Sequence, residues 1–205
     1  MTKGPVVVVL AAGKGSRFAA PSHKLAQPMG ASTVLGATLA RVIESQLPLV
    51  VVTTASLAPD AARLVATRDV LVLSAAEAAR GMGHSIAAGV SERADAAGWL
   101  VLPADMPLVQ PSTLRAVARE LPGHAAVFAQ HGGRRGHPVG FSAELFSELV
   151  ALTGDEGARR LLARYPAYGV EVGDPGVLMD IDTVADLAAA REAAPALVSQ
   201  RLAAP

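Results

Sequence analysis

The chain alternates short apolar runs with longer segments in which apolar residues recur at helical spacing. Short runs without polar alternation are typical of strands that are buried on both faces of a parallel sheet. The runs predict strands at Val6–Leu10, Leu49–Thr53, Val70–Leu73, Trp99–Leu102, Ala125–Ala129 and Val139–Phe141. The segments between them predict helices over Val34–Gln46, Ser85–Ala97 and Ser112–Leu121. Strands that alternate with helices in this way predict an α/β sandwich with a mostly parallel central sheet.

The last third of the chain is less regular. Gly132-Gly133 predicts the turn of a hairpin between two apolar runs. Further helices and extended runs are predicted over Ala143–Leu152, Glu156–Arg164, Tyr168–Val172, Val177–Ile181 and Thr183–Ala194. No linker long enough to separate two domains interrupts the pattern, so we expect one domain over residues 1–194, followed by a C-terminal tail over 195–205.

Composition excludes several classes of function. The 205 residues include 18 Lys+Arg and 18 Asp+Glu, so the formal net charge is zero and no global field attracts nucleic acid or an anionic membrane. The absence of cysteine excludes disulfides, thiolate metal sites and cysteine nucleophiles. The longest apolar run, Val6–Ala12, is far shorter than the ~18–20 residues of a membrane-spanning helix. We therefore expect a cytoplasmic protein with no nucleic-acid or membrane partner, in which any bound anion is held by a local pocket.

The strongest local signal is the segment Leu10–Phe18, which directly follows the first predicted strand and precedes Lys24. Ligands of α/β sheets gather beyond the carboxyl ends of the strands. Glycines let the backbone approach a phosphate closely, and successive amides form anion-binding nests. With the positive charges of Arg17 and Lys24, this loop is a candidate phosphate site. The alternative is a glycine-rich turn with solvated basic side chains.

Two better-known phosphate loops do not fit this segment. A Walker loop needs Lys followed by Ser or Thr, whereas Lys14 is followed by Gly15. The dinucleotide fingerprint needs a third glycine where this chain has Phe18. It also needs an acid at the end of the second strand, where this chain has Thr53-Thr54. The sequence therefore disfavours a Walker NTPase and a Rossmann dehydrogenase.

Three acidic residues are candidates for a metal site. Asp105 follows the strand predicted at Trp99–Leu102, where a carboxylate is well placed to hold Mg²⁺. Asp180 and Asp182 lie two positions apart in a run expected to be extended, so we expect them to point the same way. The alternatives are structural: Asp105 caps a turn, and Asp182 caps the helix that begins near Thr183.

Taken together, these motifs resemble the signature of the MobA and MocA families of nucleotidyltransferases. The resemblance covers six segments in the family order: Leu10-Ala11-Ala12-Gly13 with Arg17-Phe18 and Lys24, Gly81–Gly89, Leu102–Pro107, Gly136–Val139, Gly154–Arg159 and Asp180–Thr183. The chain departs from the pattern where Ala19-Ala20 replace a glycine and Pro21-Ser22-His23 lengthen the loop before Lys24. The resemblance implies a Rossmann-like three-layer α/β/α sandwich of the nucleotide-diphospho-sugar transferase type.

The resemblance also implies roles for individual residues. The implied catalytic residues are Arg17, Lys24 and Asp105. Nucleotide binding is implied for Leu10, Ala11, Ala12, Gly13, Gly15, Arg17, Lys24, Gly81, Ser85 and Asp105. Metal binding is implied for Asp105, Asp182 and Asp180, and acceptor binding for His137, Arg135 and Arg159. Ser85 has a structural alternative as the N-cap of the helix predicted from that residue, and His137 as a structural or solvated side chain. His23, His84, His124 and His131 lack metal-ligand spacing, so we expect them to be surface or loop residues.

The function that the resemblance implies is Mg²⁺-dependent transfer of CMP from CTP to a phosphorylated acceptor, closest to molybdenum cofactor cytidylyltransferase. Leu10–Gly13 and Pro103-Ala104-Asp105 resemble the cytidylyl branch of the family, and the methyl group of Ala12 is expected to crowd a purine base. The implied partners are an NTP and the phosphorylated acceptor, together with a molybdoenzyme or its chaperone. The alternatives are a guanylyltransferase, a transferase acting on a sugar or isoprenoid phosphate, and a non-catalytic nucleotide-binding protein that delivers a cofactor.

Overall fold

The computed structural model describes residues 4–15, 18–19 and 22–203, and the side chains of these residues as far as 194. The strands in this part of the chain are β1 (Val6–Ala11), β2 (Pro28–Met29), β3 (Ser32–Thr33), β4 (Leu49–Thr54), β5 (Val70–Leu73), β6 (Gly98–Pro103), β7 (Ala126–His131), β8 (Arg134–Ser142) and β9 (Ala167–Glu171). The α-helices are α1 (Val34–Glu44), α2 (Ala58–Ala62), α3 (Ala75–Ala78), α4 (Met82–Glu92), α5 (Pro111–Glu120), α6 (Phe146–Val150), α7 (Arg159–Arg164) and α8 (Val184–Ala203).

Seven of the described strands form one sheet, in the order β5-β4-β1-β6-β8-β7-β9. All neighbouring pairs are parallel except those that β8 makes with β6 and with β7. Strand β1 lies at the centre of the parallel part, between β4 and β6. The mostly parallel sheet predicted from the alternation of elements is therefore confirmed.

The two faces of the sheet explain why the strand sequences are continuously apolar. Val7 and Val9 belong to a buried cluster that includes residues of α1, α5 and α8. Val6 and Val8 belong to a second cluster, which includes residues of α4, α6 and α7. Since successive side chains of a strand point to opposite faces, a strand buried on both faces needs an apolar residue at every position. The three-layer α/β/α sandwich follows from this arrangement.

The predicted elements agree with the structure along most of the chain. The hairpin turn at Gly132-Gly133 is confirmed, because it joins β7 to β8. The last predicted helix, over 183–194, is longer in the structure, where α8 continues through Pro195 to Ala203 and includes most of the segment expected as a tail. The division of the chain into a domain and a tail stays a prediction.

One predicted strand is wrong. The run Val177–Ile181 is not extended, because a 3-10 turn over Pro175–Leu178 occupies its first half. The buried carboxylate of Asp174 accepts a hydrogen bond from the backbone N–H of Gly176 at 3.0 Å, which holds this turn at its start. Pro175 fixes one backbone angle in a value that suits the first position of such a turn. The apolar character of the run reflects burial rather than strand geometry.

Among the described residues, no helix combines the length and the apolar character required to cross a membrane.

Candidate active site

The candidate site lies where the carboxyl ends of β1 and β6 meet. The two strands run parallel, with Leu10 opposite Pro103, so the segments that follow them leave the sheet side by side. The backbone N–H of Ala104 donates to the carbonyl of Leu10 at 3.0 Å. The hydroxyl of Thr38, from α1, donates to the carbonyl of Ala104 at 2.8 Å. These bonds fix the backbone immediately before Asp105.

Lys24 connects two carboxylates that are far apart in the chain. Its Nζ donates to Oδ2 of Asp105 at 2.5 Å and to Oδ1 of Asp182 at 2.9 Å. The three side chains are mostly buried, with exposed fractions of 12% for Lys24, 14% for Asp105 and 19% for Asp182. The backbone N–H of Ile181 donates to the carbonyl of Asp105 at 3.0 Å and holds the two acidic segments together. The structure thus brings together three residues that the sequence nominated.

The electrostatics of this cluster favour the charged form of Lys24. Burial alone would lower the pKa of Lys24, but the negative charge of Asp105 and hydrogen bonds to both carboxylates outweigh it and raise that pKa. Oδ1 of Asp105 is buried and has no hydrogen-bond partner within the described part of the chain. A buried carboxylate oxygen without a donor suits a cation or a water molecule. Asp105 and Asp182 therefore fit a divalent cation.

The two carboxylates supply too few ligands for a complete metal site. Residues 4–15, 18–19 and 22–203 contain no group of three or more His, Cys, Asp or Glu side chains arranged to hold a metal ion. Mg²⁺ is commonly held by one or two carboxylates, with substrate phosphates and water completing its six ligands. The chemistry of the donors thus suits an ion that arrives with a phosphorylated substrate.

The two expectations for Asp180 and Asp182 need correction. The residues do not share one face of a strand, because their segment is irregular: Asp182 pairs with Lys24, whereas Asp180 is exposed and its charge acts on His137. Nor does Asp182 cap α8. The cap is made by Thr183, whose hydroxyl accepts a hydrogen bond from the N–H of Asp186 at 3.1 Å, while the Asp186 carboxylate accepts from the N–H of Thr183 at 2.7 Å.

The first loop follows β1 towards this cluster. Ala11 and Ala12 are buried in the two opposite clusters, Ala11 with residues of α1 and Ala12 with residues of α4. Leu10 is half-buried, Gly13 is exposed, and Gly15 has a positive φ of 61°. Arg17, which the pattern singled out for catalysis and nucleotide binding, lies outside the described residues. The loop thus contributes backbone at the sheet edge, while its alanine side chains are part of the core.

The turn before α4 is glycine for a geometric reason. Gly81 has a φ of 96°, and a Cβ there would lie 2.4 Å from the carbonyl carbon of Gly154. The N–H of Gly83 donates to the Gly154 carbonyl at 2.8 Å, so the start of α4 is bonded to the loop after α6. Ser85 is 6% exposed inside this helix. The structural alternative for Ser85, the N-cap of the helix, is wrong, because the helix begins at Met82.

The candidate acceptor residues lie on β8 and at the start of α7. His137 is half-buried on β8, and burial lowers its pKa; the charges of Asp105 and Asp180 oppose that shift, and the charge of Arg159 adds to it. Arg159 is exposed at the start of α7. Arg135 is exposed on β8, with its guanidinium 4.2 Å from the centroid of the Phe128 ring. The charges of Asp105 and Arg159 therefore both reach His137, while Arg135 packs on an aromatic side chain.

Comparison with known proteins identifies the family. The model of the MobA-like NTP transferase domain matches residues 7–169. This chain belongs to the MobA-like NTP transferase family. The purine catabolism protein PucB of Bacillus subtilis (strain 168) is 36% identical over 189 residues, which are 86% of this chain and 90% of PucB. The sequence resemblance to MobA- and MocA-type nucleotidyltransferases is thereby confirmed.

Several solved structures superpose over nearly the whole chain. Rv0371c from Mycobacterium tuberculosis H37Rv has a TM-score of 0.80 at 29% identity, covering 94% of this chain and 99% of that one. Its complex with manganese has a TM-score of 0.75 at 28% identity, covering 93% and 99%. Mth528, a nucleotidyl transferase from Methanothermobacter thermautotroptrophicus, has a TM-score of 0.77 at 27% identity, covering 92% and 96%.

Sequence reasoning missed two residues that shape the MobA-like site. Asp174 is 3% exposed and accepts hydrogen bonds from the N–H of Gln110 at 2.8 Å and the hydroxyl of Thr113 at 2.6 Å, which anchors the segment that leads to Asp182. His23 lies in a loop, as expected, but its hydrogen bond to the first loop was not predicted. The signal for Asp174 was its place beside Gly173 and Pro175 in a turn, and for His23 its place in the segment that lengthens the loop.

Proposed function

We propose that this MobA-like protein transfers CMP from CTP to a phosphorylated acceptor, molybdopterin or the molybdenum cofactor, and releases pyrophosphate. The observation that carries the proposal is the convergence of Lys24, Asp105 and Asp182 at the carboxyl end of the central strands. The Lys24 ammonium and the glycine loop suit the negative charge of a substrate, and the two carboxylates suit a metal ion that is bound with it.

Asp105 and Asp182 are the residues that would hold Mg²⁺. The ion supplies positive charge that neutralises the triphosphate as it reacts. The unpartnered Oδ1 of Asp105 supports this role, and the manganese complex of Rv0371c is a precedent for a divalent cation in a related chain.

Side chains and backbone groups of the protein perform the other tasks of the reaction. An oxygen of the acceptor phosphate forms a bond to the α-phosphorus of CTP, and the bond from that phosphorus to the oxygen bridging to the β-phosphate breaks, so that pyrophosphate leaves. A phosphate acceptor is already ionised at neutral pH and needs no general base. The protein therefore needs to align the two substrates and stabilise negative charge. We assign the stabilisation of negative charge to Lys24 and Arg17. We assign the alignment of the substrates to the loop backbone at Gly13 and Gly15.

His137 and Arg159 form the acceptor wall in this proposal. The lowered pKa of His137 favours a neutral imidazole, which can donate or accept a hydrogen bond without changing the charge of the site. Arg159 and Arg135 supply positive charge for an anionic acceptor. Because a phosphate acceptor needs no general base, we assign His137 a binding role rather than proton abstraction.

The preference for CTP rests on the resemblance of Leu10–Gly13 and Pro103–Asp105 to the cytidylyl branch. The Ala12 side chain is 4% exposed and packs in the core with residues of α4, which argues against direct crowding of a purine by its methyl group. An Ala12→Gly variant separates a steric cause from other causes of base preference: a steric cause predicts a gain in activity with GTP, and another cause predicts none.

The test is pyrophosphate release from each of four NTPs, with molybdopterin and with sugar and isoprenoid phosphates as acceptors, in Mg²⁺, in Mn²⁺ and in chelator. We expect metal-dependent release with CTP and molybdopterin. The Asp105→Asn variant should lose on the order of a hundredfold or more in rate, since losing metal-borne charge costs several kcal/mol at the transferring phosphate. The control is Asp60→Asn, which removes a carboxylate that pairs with exposed Arg63 away from the cluster.

Each other outcome selects a different function. Release with GTP in place of CTP indicates a guanylyltransferase, and release only with other acceptors indicates a sugar- or isoprenoid-phosphate transferase. Calorimetric binding of a nucleotide without turnover on any acceptor indicates a carrier that delivers a cofactor. An expected partner of the product is a molybdoenzyme or its chaperone, and the expected compartment is the cytoplasm.

A further inference from the structure

His23 contacts the first loop through both nitrogens of its ring. Nε2 lies 2.9 Å from the carbonyl oxygen of Gly13, ten positions earlier in the chain. Nδ1 accepts a hydrogen bond from the backbone N–H of Leu25 at 3.2 Å. Because a neutral imidazole carries one N–H, a ring that accepts at Nδ1 donates at Nε2. His23 therefore ties the carbonyl of Gly13 to the turn that begins with Lys24.

The backbone of Gly15 lies close to the His23 and Lys24 side chains. At Gly15, where φ is 61°, a Cβ would lie 3.3 Å from Cγ of Lys24 and 3.5 Å from Nε2 of His23. The N–H of Phe18 donates to the carbonyl of Gly15 at 3.0 Å, and the Phe18 side chain is 7% exposed. The glycine backbone is thus held by a buried aromatic residue on one side and by His23 on the other.

We propose that His23 is a positioning residue for nucleotidyl transfer. By bonding Gly13 it holds the Gly13–Gly15 backbone against the stem of Lys24, so that the loop amides and the Lys24 ammonium act on the same phosphates of a nucleoside triphosphate. His23 belongs to the three residues by which this chain lengthens the loop relative to the family pattern, so the bond compensates for the added length. This inference rests on the proposed function, because it assigns the triphosphate to the same site.

Two conservative variants test the two hydrogen bonds of His23 separately. The side-chain nitrogen of Gln reaches the position of Nε2, so His23→Gln keeps a donor for the Gly13 carbonyl. Asn is shorter and places a polar atom near Nδ1, so His23→Asn keeps an acceptor for Leu25 and loses the bond to Gly13. His23→Ala loses both. Binding of CTP with Mg²⁺ is measured by calorimetry without acceptor, and the KM for each substrate and kcat are measured with acceptor.

We expect His23→Asn and His23→Ala to bind CTP about fivefold more weakly, as for the loss of one hydrogen bond. We expect His23→Gln to restore the affinity to near that of the unmodified protein. The KM for the acceptor should stay unchanged, which distinguishes positioning of the triphosphate from general loss of structure. Matched controls are the Asn, Gln and Ala variants of His124, whose ring stacks on Tyr168 at a centroid distance of 4.3 Å near the opposite end of β7.

The outcomes that overturn the inference differ from those that overturn the proposed function. If the unmodified protein binds CTP and all three His23 variants bind it equally well, or if Asn rescues and Gln does not, His23 has no positioning role through Gly13. If the unmodified protein binds no nucleoside triphosphate, the proposed function fails and the positioning role with it. Nitrogen NMR of the His23 ring gives a separate result: the bond requires a proton on Nε2, and a proton on Nδ1 instead contradicts it.

Discussion

Nζ of Lys24 lies 2.5 Å from Oδ2 of Asp105, although the two residues are 81 positions apart in the chain. The same ammonium contacts Asp182, so one positive charge is shared by two carboxylates. A divalent cation bound by these carboxylates competes with Lys24 for the same oxygens. In a triphosphate complex, the phosphates offer Lys24 another set of anionic partners.

Replacing Lys24 by Met should therefore strengthen metal binding in the absence of nucleotide. Met preserves an unbranched side chain and removes the competing charge. We expect the affinity for Mn²⁺, measured by electron paramagnetic resonance, to rise about tenfold, or about 1.4 kcal/mol. Nucleotidyl transfer should fall in the same variant, because the triphosphate loses a cation.

Lys14→Met is the control, because Lys14 is an exposed residue of the first loop. It should leave the affinity for Mn²⁺ unchanged. Equal or weaker binding of Mn²⁺ by Lys24→Met would show that the ammonium and the metal ion do not compete.

Gly81 should tolerate no side chain. In Gly81→Ala the added Cβ meets the backbone of Gly154 at 2.4 Å and Oδ1 of Asp155 at 2.6 Å, at a φ of 96° that disfavours any L-residue. We expect a loss of about 2–4 kcal/mol in the free energy of unfolding, from backbone strain and overpacking together. Chemical denaturation measures this loss.

Gly30→Ala isolates the strain from the clash. Gly30 has a φ of 62°, and a Cβ there would meet no atom within 4 Å. The expected loss is about 1 kcal/mol, from the left-handed backbone alone. Equal losses in the two variants would mean that α4 and the Gly154 loop move apart to accommodate the Cβ with little loss of stability.

The sequence predicted the parts of this fold that depend on local pattern. Val6–Val9 is apolar at every position because both of its faces are buried. Asp105 was placed correctly at the end of a strand, because the apolar run Trp99–Leu102 precedes it. The pairing of Lys24 with Asp182 could not be predicted from spacing, because 158 positions separate them and only the topology brings them together. The turn at Pro175–Leu178 was mistaken for a strand, since a short apolar run does not distinguish burial in a strand from burial in a turn.

Asp174 should be a strong determinant of stability. Its carboxylate, 3% exposed, serves the N–H groups of Gln110 and Gly176 and the hydroxyl of Thr113. In Asp174→Ala these buried donors lose their acceptor, and each unsatisfied group costs about 1–3 kcal/mol. We expect the free energy of unfolding to fall by about 3 kcal/mol or more in chemical denaturation.

Asp60→Ala is the matched substitution on the surface. Asp60 pairs with Arg63, whose side chain is 77% exposed, so the change should stay within about 0.5 kcal/mol. A loss as small as this in Asp174→Ala would mean that water replaces the carboxylate without cost.

The stability of the protein should also depend on the protonation of His137. Burial lowers the pKa of His137 below its ordinary value of 6.5 in the folded state, so the folded protein binds this proton less readily than the unfolded chain. The stability that results is present in full above the unfolded pKa. It is lost as the pH falls through that value towards the lower folded pKa. The free energy of unfolding should therefore fall as the pH is lowered from about 7.5 through about 6.5, the ordinary pKa of histidine, and this fall should be smaller in His137→Asn.

Substitution of the charged residues around His137 tests the cause of its lowered pKa more directly. Arg159 lowers the pKa of His137, whereas Asp180 raises it. An NMR titration of the ring should therefore give a higher pKa in Arg159→Ala and a lower one in Asp180→Asn than in the unmodified protein. Arg160→Ala is the control, because Arg160 is 79% exposed and pairs with Glu156. Shifts of the same sign in the Arg159 and Asp180 variants would contradict the arrangement, since opposite charges near a ring change its pKa in opposite directions.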